Sequence, residues 1–324
     1  MGVKETILPY LSAEIARRLA DADEIFPALR EVRLRTDKPL LLNARGAEYA
    51  VTETGRLLKT GRETVQPVSP PLFCPSRSDI SETLERLSRY SPYAFEEELR
   101  MGYITLPGGH RAGVAGQTTV VAADNGRSVG IMKHIHSINI RIAHQVIGCG
   151  DAVLPLITET EAVPRPLFHT MIISPPGCGK TTLLRDIVRQ ISYGGLTVGV
   201  VDERSEIAGC HRGVPQNDVG PRTDVLDGCP KAEGMVMLLR SMAPDVIAVD
   251  ELGGERDARA VEDVLSAGVK LLCTAHGNGI DDVKRNPALK TLTADKLIFG
   301  RFVVLDAPGH VRGVYDGEGD RYAV

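Results

Sequence analysis

The sequence predicts an α/β chain in two parts: a smaller α+β domain over residues 1–147, then a domain over residues 148–324 built on a mainly parallel sheet. Two observations carry this. From about residue 165 onward, short continuous apolar runs alternate with helical stretches, the pattern of strands covered on both faces by crossover helices. Before that point, alternating strands and Pro/Gly turns mix with short helices in no such rhythm.

Within the first part, Ile7, Leu11, Ile15 and Leu19 recur every four positions and predict that residues 1–30 are helical. Glu31–Arg35 alternates charged with apolar residues as a half-buried strand does, and Pro39–Asn43 continues extended. Gln66–Ser76, rich in Pro and Ser, reads as a linker. Asp79, with Glu82 three residues on, suits a helix start, and Ile80, Leu84 and Leu87 supply its buried face. Gly102–Leu106 and Ala112–Val121 read as strands joined by the Pro107-Gly108-Gly109 turn, and Ser137–Ile142 as another. Gly148 and Gly150 suit a boundary. In the second part the strands are His169–Ile173, Leu196–Val201, Val246–Val249 and Val269–Cys273, with Phe302–Leu305 a further one.

Composition excludes more than it selects. The formal net charge is -4, aromatics are 4% and Trp is absent, so the chain lacks the basic, aromatic-bearing groove of an obligate nucleic-acid binder. No run approaches the ~20 apolar residues of a membrane-spanning helix, and the N-terminus has no signal-peptide core. Six cysteines without a CxxC pair argue for reduced thiols rather than a zinc ribbon. Ordinary packing accounts for His134, His136 and the Cys210-His211 pair. The expectation is a soluble cytoplasmic protein.

The chemistry concentrates in four segments. Ser174-Pro175-Pro176-Gly177-Cys178-Gly179-Lys180-Thr181-Thr182 has the composition of a phosphate-cradling loop, although Ser174 stands where the usual pattern has its first glycine. Gly177 and Gly179 let backbone N–H groups curl round phosphate oxygens, Lys180 reaches the β- and γ-phosphates, and the Thr181 hydroxyl suits Mg²⁺. A helix with Leu183, Leu184, Ile187, Val188 and Ile191 on one face follows and points its positive end at the anion. Downstream, Asp245–Glu251 ends a buried strand on two carboxylates, Asp250 for the Mg²⁺ shell and Glu251 for polarising water. Asp202–Glu206 ends the intervening strand, so that Glu203 or Glu206 is a second candidate for water or metal. His276, after the fourth strand, stands where a γ-phosphate sensor would. A nucleoside triphosphate and Mg²⁺ are therefore the expected ligands, and the residues alone do not choose ATP over GTP.

In chain order, the glycine loop, the acidic box, Leu239–Glu251 with its Arg240 and Pro244-Asp245, Arg256-Asp257 and Thr274-Ala-His276 resemble the secretion ATPase superfamily of type II and type IV systems. A closer resemblance, carried by Ile173–Pro176, Val201–Gly209, Asp250–Gly253, Glu31–Arg35, Pro107–Gly113 and Ser137–Ile142, is to the stage III sporulation AA family. The resemblance implies a RecA-like P-loop ATPase domain behind the N-terminal domain. It also implies a hexameric ring and a cytoplasmic motor, on the mother-cell side, serving membrane-embedded sporulation channel proteins. Asp250 occupies the place of that family's usual glycine, which keeps both Glu206 and Glu251 open as the water-activating carboxylate. In a ring, Arg111 and Arg141 are candidates for cations supplied to a neighbouring subunit's phosphates. A nucleic-acid motor and an ATP-gated scaffold with little turnover are the competing functions.

Overall fold

The computed structural model describes residues 2–61, 70–89, 102–123, 126–159, 166–287, 289, 292 and 298–323. The chain divides into two compact units, Met1–His144 and Gln145–Val324.

The first unit is built on seven strands: β1 Leu29–Arg35, β2 Leu41–Ala44, β3 Ala47–Val51, β4 Leu57–Thr60, β5 Tyr103–Thr105, β6 Arg111–Ala123 and β7 Gly126–Arg141. They pair antiparallel in the order β4-β3-β2-β1-β7-β6-β5. The alternation expected of a one-sided sheet is present, with Val32, Leu34, Leu42, Ala112, Ile138 and Ile140 buried on one face. Helices cover that face, and Ile7, Leu11, Ile15, Leu19, Ile80 and Leu87 join the same core.

Three local expectations are corrected. The N-terminal helix is not continuous: Val3–Ile7 gives way to a 3₁₀ turn at Leu8–Tyr10 and a second helix at Ala13–Leu19. Pro9 lacks the amide that a continuing helix needs, and the Ser12 hydroxyl caps the second helix by accepting from Ile15 N–H at 3.3 Å. The helix Arg77–Leu87 is capped by Ser76 rather than Asp79: Ser76 Oγ accepts from Asp79 N–H at 3.2 Å, and Asp79 Oδ2 accepts from Ser76 N–H at 2.8 Å. Of the expected linker, Gln66–Ser69 lies outside the described residues. Its remainder is part of the fold, because Phe73 is buried and exchanges backbone bonds with Val51 and Leu40. An apolar ring stacked under the Arg18 guanidinium at 4.1 Å outweighs the local Pro/Ser composition.

The second unit holds β8 Thr170–Ser174, β9 Val198–Asp202, β10 Thr223–Asp227, β11 Val246–Val249, β12 Lys270–His276, β13 Arg301–Ala307, β14 His310–Asp316 and β15 Arg321–Ala323. Their order is β10-β9-β11-β12-β8-β13-β14-β15. The first six run parallel, and β14 and β15 close the edge antiparallel. Every residue of β8, β9 and β11 is buried, as strands covered on both faces require. The helix Lys180–Tyr193 packs on one face, and Lys231–Ser241 and Glu255–Ser266 pack on the other. This topology brings the carboxyl ends of β8, β9, β11 and β12 to one edge, where open α/β sheets place their ligands. No described helix is long and apolar enough to cross a membrane.

One buried titratable group makes the first unit sensitive to pH. The His110 ring is wedged between Ala143, whose N–H donates to Nδ1 at 3.0 Å, and Thr6 Oγ1, 3.0 Å from Nε2. Burial, and then the charge of His144, lower its pKa to about 4. The unfolded chain takes up this proton near pH 6.5, well before the folded chain does. Stability from this group is therefore full above about pH 6.5 and is lost as pH falls toward 4, at no more than about 1.4 kcal/mol per pH unit. Thermal unfolding followed from pH 7 to 4 should show this loss, and His110→Gln should flatten the part between 6.5 and 4.

Candidate nucleotide site

The loop after β8 is shaped by backbone demands. Gly177 and Gly179 take positive φ, 78° and 92°, which side-chain-bearing residues rarely adopt. A Cβ placed on Gly177 meets nothing within 4 Å, so the loop's concave side is open there. The Cys178 side chain is buried in the core beneath, and its carbonyl accepts from Gly309 N–H at 3.3 Å. Ser174 is fully buried, and its carbonyl accepts from Gly277 N–H at 3.2 Å, tying the loop to the end of β12. The helix Lys180–Tyr193 then starts at Gly179 with no capping side chain. Its first amides thus keep their capacity to bind an anion. Pro175 and Pro176 form the loop's rim, and Thr182 sits in the first turn of the helix.

Opposite the loop stand Asp250 and Glu251. The Asp250 carboxylate is clamped by two hydroxyls: Thr181 Oγ1 donates to Oδ2 at 2.6 Å and Thr274 Oγ1 donates to Oδ1. Burial pushes its pKa up, and the two hydroxyls and Lys180 only partly counter that. Its partners are neutral, so it is a desolvated carboxylate suited to a cation. Glu251 is left-handed at φ 58°, and its N–H donates to Thr274 Oγ1 at 2.9 Å. Its Oε1 meets Lys180 Nζ at 3.1 Å and His276 Nε2 at 2.9 Å, and its Oε2 meets Arg204 at 3.1 Å. Burial opposes ionisation of Glu251, but Lys180, His276 and Arg204 outweigh it and hold the carboxyl below its usual range.

Lys180, Thr181, Asp250, Glu251 and His276 are thus brought together. Glu206 lines the same small cleft as Asp250 and Glu251, and its backbone carbonyl accepts from Arg185 at 2.5 Å. Glu203 instead pairs with Lys231. Asp202 is occupied locally, accepting from the N–H groups of Glu206, Ile207 and Ala208 at 2.7, 3.0 and 2.8 Å. Arg111 and Arg141 belong to the first unit, directly opposite each other across β6 and β7. Arg204 is the residue that sequence reasoning missed. It stood within a segment read only for its acids, and its partner lies 47 positions away.

The residues present fit a nucleoside triphosphate with Mg²⁺: an open glycine cradle, an uncapped helix start, a lysine at the loop, and a hydroxyl beside a desolvated carboxylate. Fold and topology together define an α/β protein with the fold of the secretion and pilus ATPases. The chain belongs to the family described as sporulation stage III, protein AA, whose profile matches residues 1–322. It is 41% identical over 300 residues to stage III sporulation protein AA of Bacillus subtilis (strain 168), covering 90% of this chain and 88% of that one. Among solved structures it resembles the pilus retraction motor PilT with bound ADP, at TM-score 0.52 and 14% identity over 92% of this chain and 77% of that one. It likewise resembles the Yersinia pseudotuberculosis ATPase DotB, at TM-score 0.52 and 12% identity over 87% of this chain and 71% of that one. At such identities the likeness is one of fold.

Thr274 joins both carboxylate-bearing residues through one buried hydroxyl. Thr274→Val removes the donor to Asp250 and the acceptor for Glu251 N–H, leaving buried polar groups unpaired. Denaturant unfolding should show a loss of about 1–3 kcal/mol, whereas Thr274→Ser should stay within about 1 kcal/mol of the parent.

Proposed function

We propose that the second unit binds MgATP and hydrolyses it as a motor of the secretion ATPase type. The observation that carries this reading is the convergence, on one edge of the sheet, of Thr181 with Asp250 and of Lys180 with Glu251. A glycine turn that merely preceded Lys-Thr would have no reason to face a clamped pair of carboxylates.

On this reading the loop amides and the start of the helix Lys180–Tyr193 hold the phosphates, and Lys180 neutralises the β- and γ-oxygens. Thr181 and Asp250 hold the Mg²⁺, which supplies charge stabilisation on the transferring phosphoryl group. Glu251 orients and polarises the attacking water, and His276 senses the γ-phosphate from the end of β12. Glu206, in the same cleft, is the second carboxylate that can take the water's proton. ATP is favoured over GTP by the similar fold that carries ADP. Family membership supports a cytoplasmic role at a sporulation membrane complex, with channel proteins as partners.

The assembly proposed is a homo-oligomeric ring, hexameric as in the secretion ATPases, in which Arg111 and Arg141 serve a neighbouring subunit's phosphates. Two guanidinium groups held directly across neighbouring strands are suited to an anion supplied from outside their own sheet.

Mg²⁺-dependent ATP hydrolysis measured over a range of protein concentrations tests both parts. Specific activity should rise with concentration as subunits assemble. Lys180→Ala should abolish nucleotide binding, and Glu251→Gln should bind ATP but turn over at least ~100-fold more slowly. Glu206→Gln losing more than Glu251→Gln would reverse the assignment of the two carboxylates. Tight binding without turnover at any concentration would replace the motor by a nucleotide-gated scaffold. Arg111→Ala that leaves turnover of assembled protein unchanged would remove that arginine from the site.

A further inference from the structure

Glu251 has to be aimed, and its backbone does not aim it. The left-handed φ of 58° and the bond from its N–H to Thr274 fix where the side chain starts, while the carboxylate itself meets Lys180, His276 and Arg204. Two of these share Oε1: Lys180 at 3.1 Å and His276 at 2.9 Å. The reading above commits Lys180 to phosphate, so bound nucleotide competes with Glu251 for that lysine. Oε2 has a separate partner, Arg204, at 3.1 Å.

We propose that Arg204 is a positioning residue that keeps the Glu251 carboxylate turned over the phosphate loop when Lys180 is drawn to the nucleotide. The proposal rests on the hydrolytic reading of the same site and adds to it a residue that acts through Glu251.

The support for Arg204 lies in how its backbone is anchored. It follows β9 in a turn whose next amides, those of Glu206, Ile207 and Ala208, all donate to the buried Asp202 carboxylate. Ser205 is left-handed at φ 52°, and its hydroxyl donates to Asp227. Glu203, on the other side, pairs with Lys231. A 65% exposed arginine side chain therefore projects from a pinned base. An exposed ion pair of this kind adds little to fold stability, so its removal acts on geometry rather than on folding. Geometry at a reacting centre is unforgiving, because misplacement by about 1 Å can cost up to ~100-fold in rate.

The test is steady-state MgATP hydrolysis by the full chain at a protein concentration where wild type is active, with binding of a fluorescent ATP analogue measured alongside. Arg204→Ala should lower kcat about tenfold while KM and analogue affinity stay within about twofold. Its unfolding midpoint should stay within about 2 °C of the parent. Arg204→Lys should recover kcat to within about threefold of wild type. In a Glu251→Gln background Arg204→Ala should cost nothing further, because the carboxylate it aims is gone. Wild-type kcat in Arg204→Ala overturns the proposal and leaves the hydrolytic reading standing. So does a loss shared by kcat, KM and stability that lysine fails to rescue. Wild-type protein that binds the analogue and never turns over ATP overturns both.

Discussion

The site depends on one half-buried carboxylate, Asp250, held between two threonine hydroxyls. Thr181 reaches it from the first turn of the helix Lys180–Tyr193, and Thr274 reaches it from β12. These contacts join the loop after β8, the end of β11 and the body of β12, three places far apart in sequence. A desolvated carboxylate resists ionisation. Hydroxyl donors soften that penalty without cancelling it, which leaves a position of negative potential beside a hydroxyl ligand. A hard divalent cation answers that requirement with few protein ligands, since Mg²⁺ takes much of its shell from phosphates and water. Among the described residues no group of three or more His, Cys, Asp and Glu side chains is arranged to hold a metal. Under the proposed function a cation here would draw its remaining ligands from the nucleotide, which would couple metal binding to substrate.

Around Glu251 the balance is reversed. Lys180, His276 and Arg204 crowd a single carboxylate that is only partly buried. Of these two neighbouring acids in opposite surroundings, burial holds the pKa of Asp250 up, while Lys180 foremost holds that of Glu251 down. Such a separation suits one carboxylate to holding metal and the other to handling a proton. The same two residues, adjacent in sequence, get their different surroundings from the change of backbone direction at Glu251. A right-handed conformation there would send the second side chain elsewhere.

Much of this was legible in the sequence, for identifiable reasons. The loop could be read because its conformation admits glycine at Gly177 and Gly179 and penalises other residues, so backbone geometry leaves a chemical trace. Val246–Val249 was read to the residue because all four positions are buried and the run has no competing pattern. The strands β10, β14 and β15, towards the two ends of the sheet, escaped because partial burial gives weak patterning: β10 has no fully buried residue. The N-terminal helix was misjudged because a four-residue apolar repeat survives a break at Pro9 and Ser12, where the same residues stay buried across two shorter helices. Phe73 lay within a Pro/Ser-rich stretch whose composition conceals one anchoring ring. Arg204 was missed for a different reason. Ion pairs between the ends of neighbouring parallel strands are set by the β9–β11 adjacency, and no local pattern announces sheet order.

The first unit poses the remaining electrostatic question. Arg141 is flanked on its sheet by Arg111 on β6 and Glu31 on β1, yet the Glu31 carboxylate pairs with Arg33 at 2.9 Å. Arg111 in turn stacks 4.7 Å over the Tyr103 ring, a contact that orients its guanidinium. Like charges held opposite one another weaken a sheet unless something outside it repays the repulsion. A phosphate does so better than a carboxylate, because it offers several oxygens and can be shared by two planar forks. Under the proposed assembly the anion comes from a neighbouring subunit, so these two arginines would meet it only once a second copy is present. A rise of turnover with assembly is what that proposal expects of charges placed there.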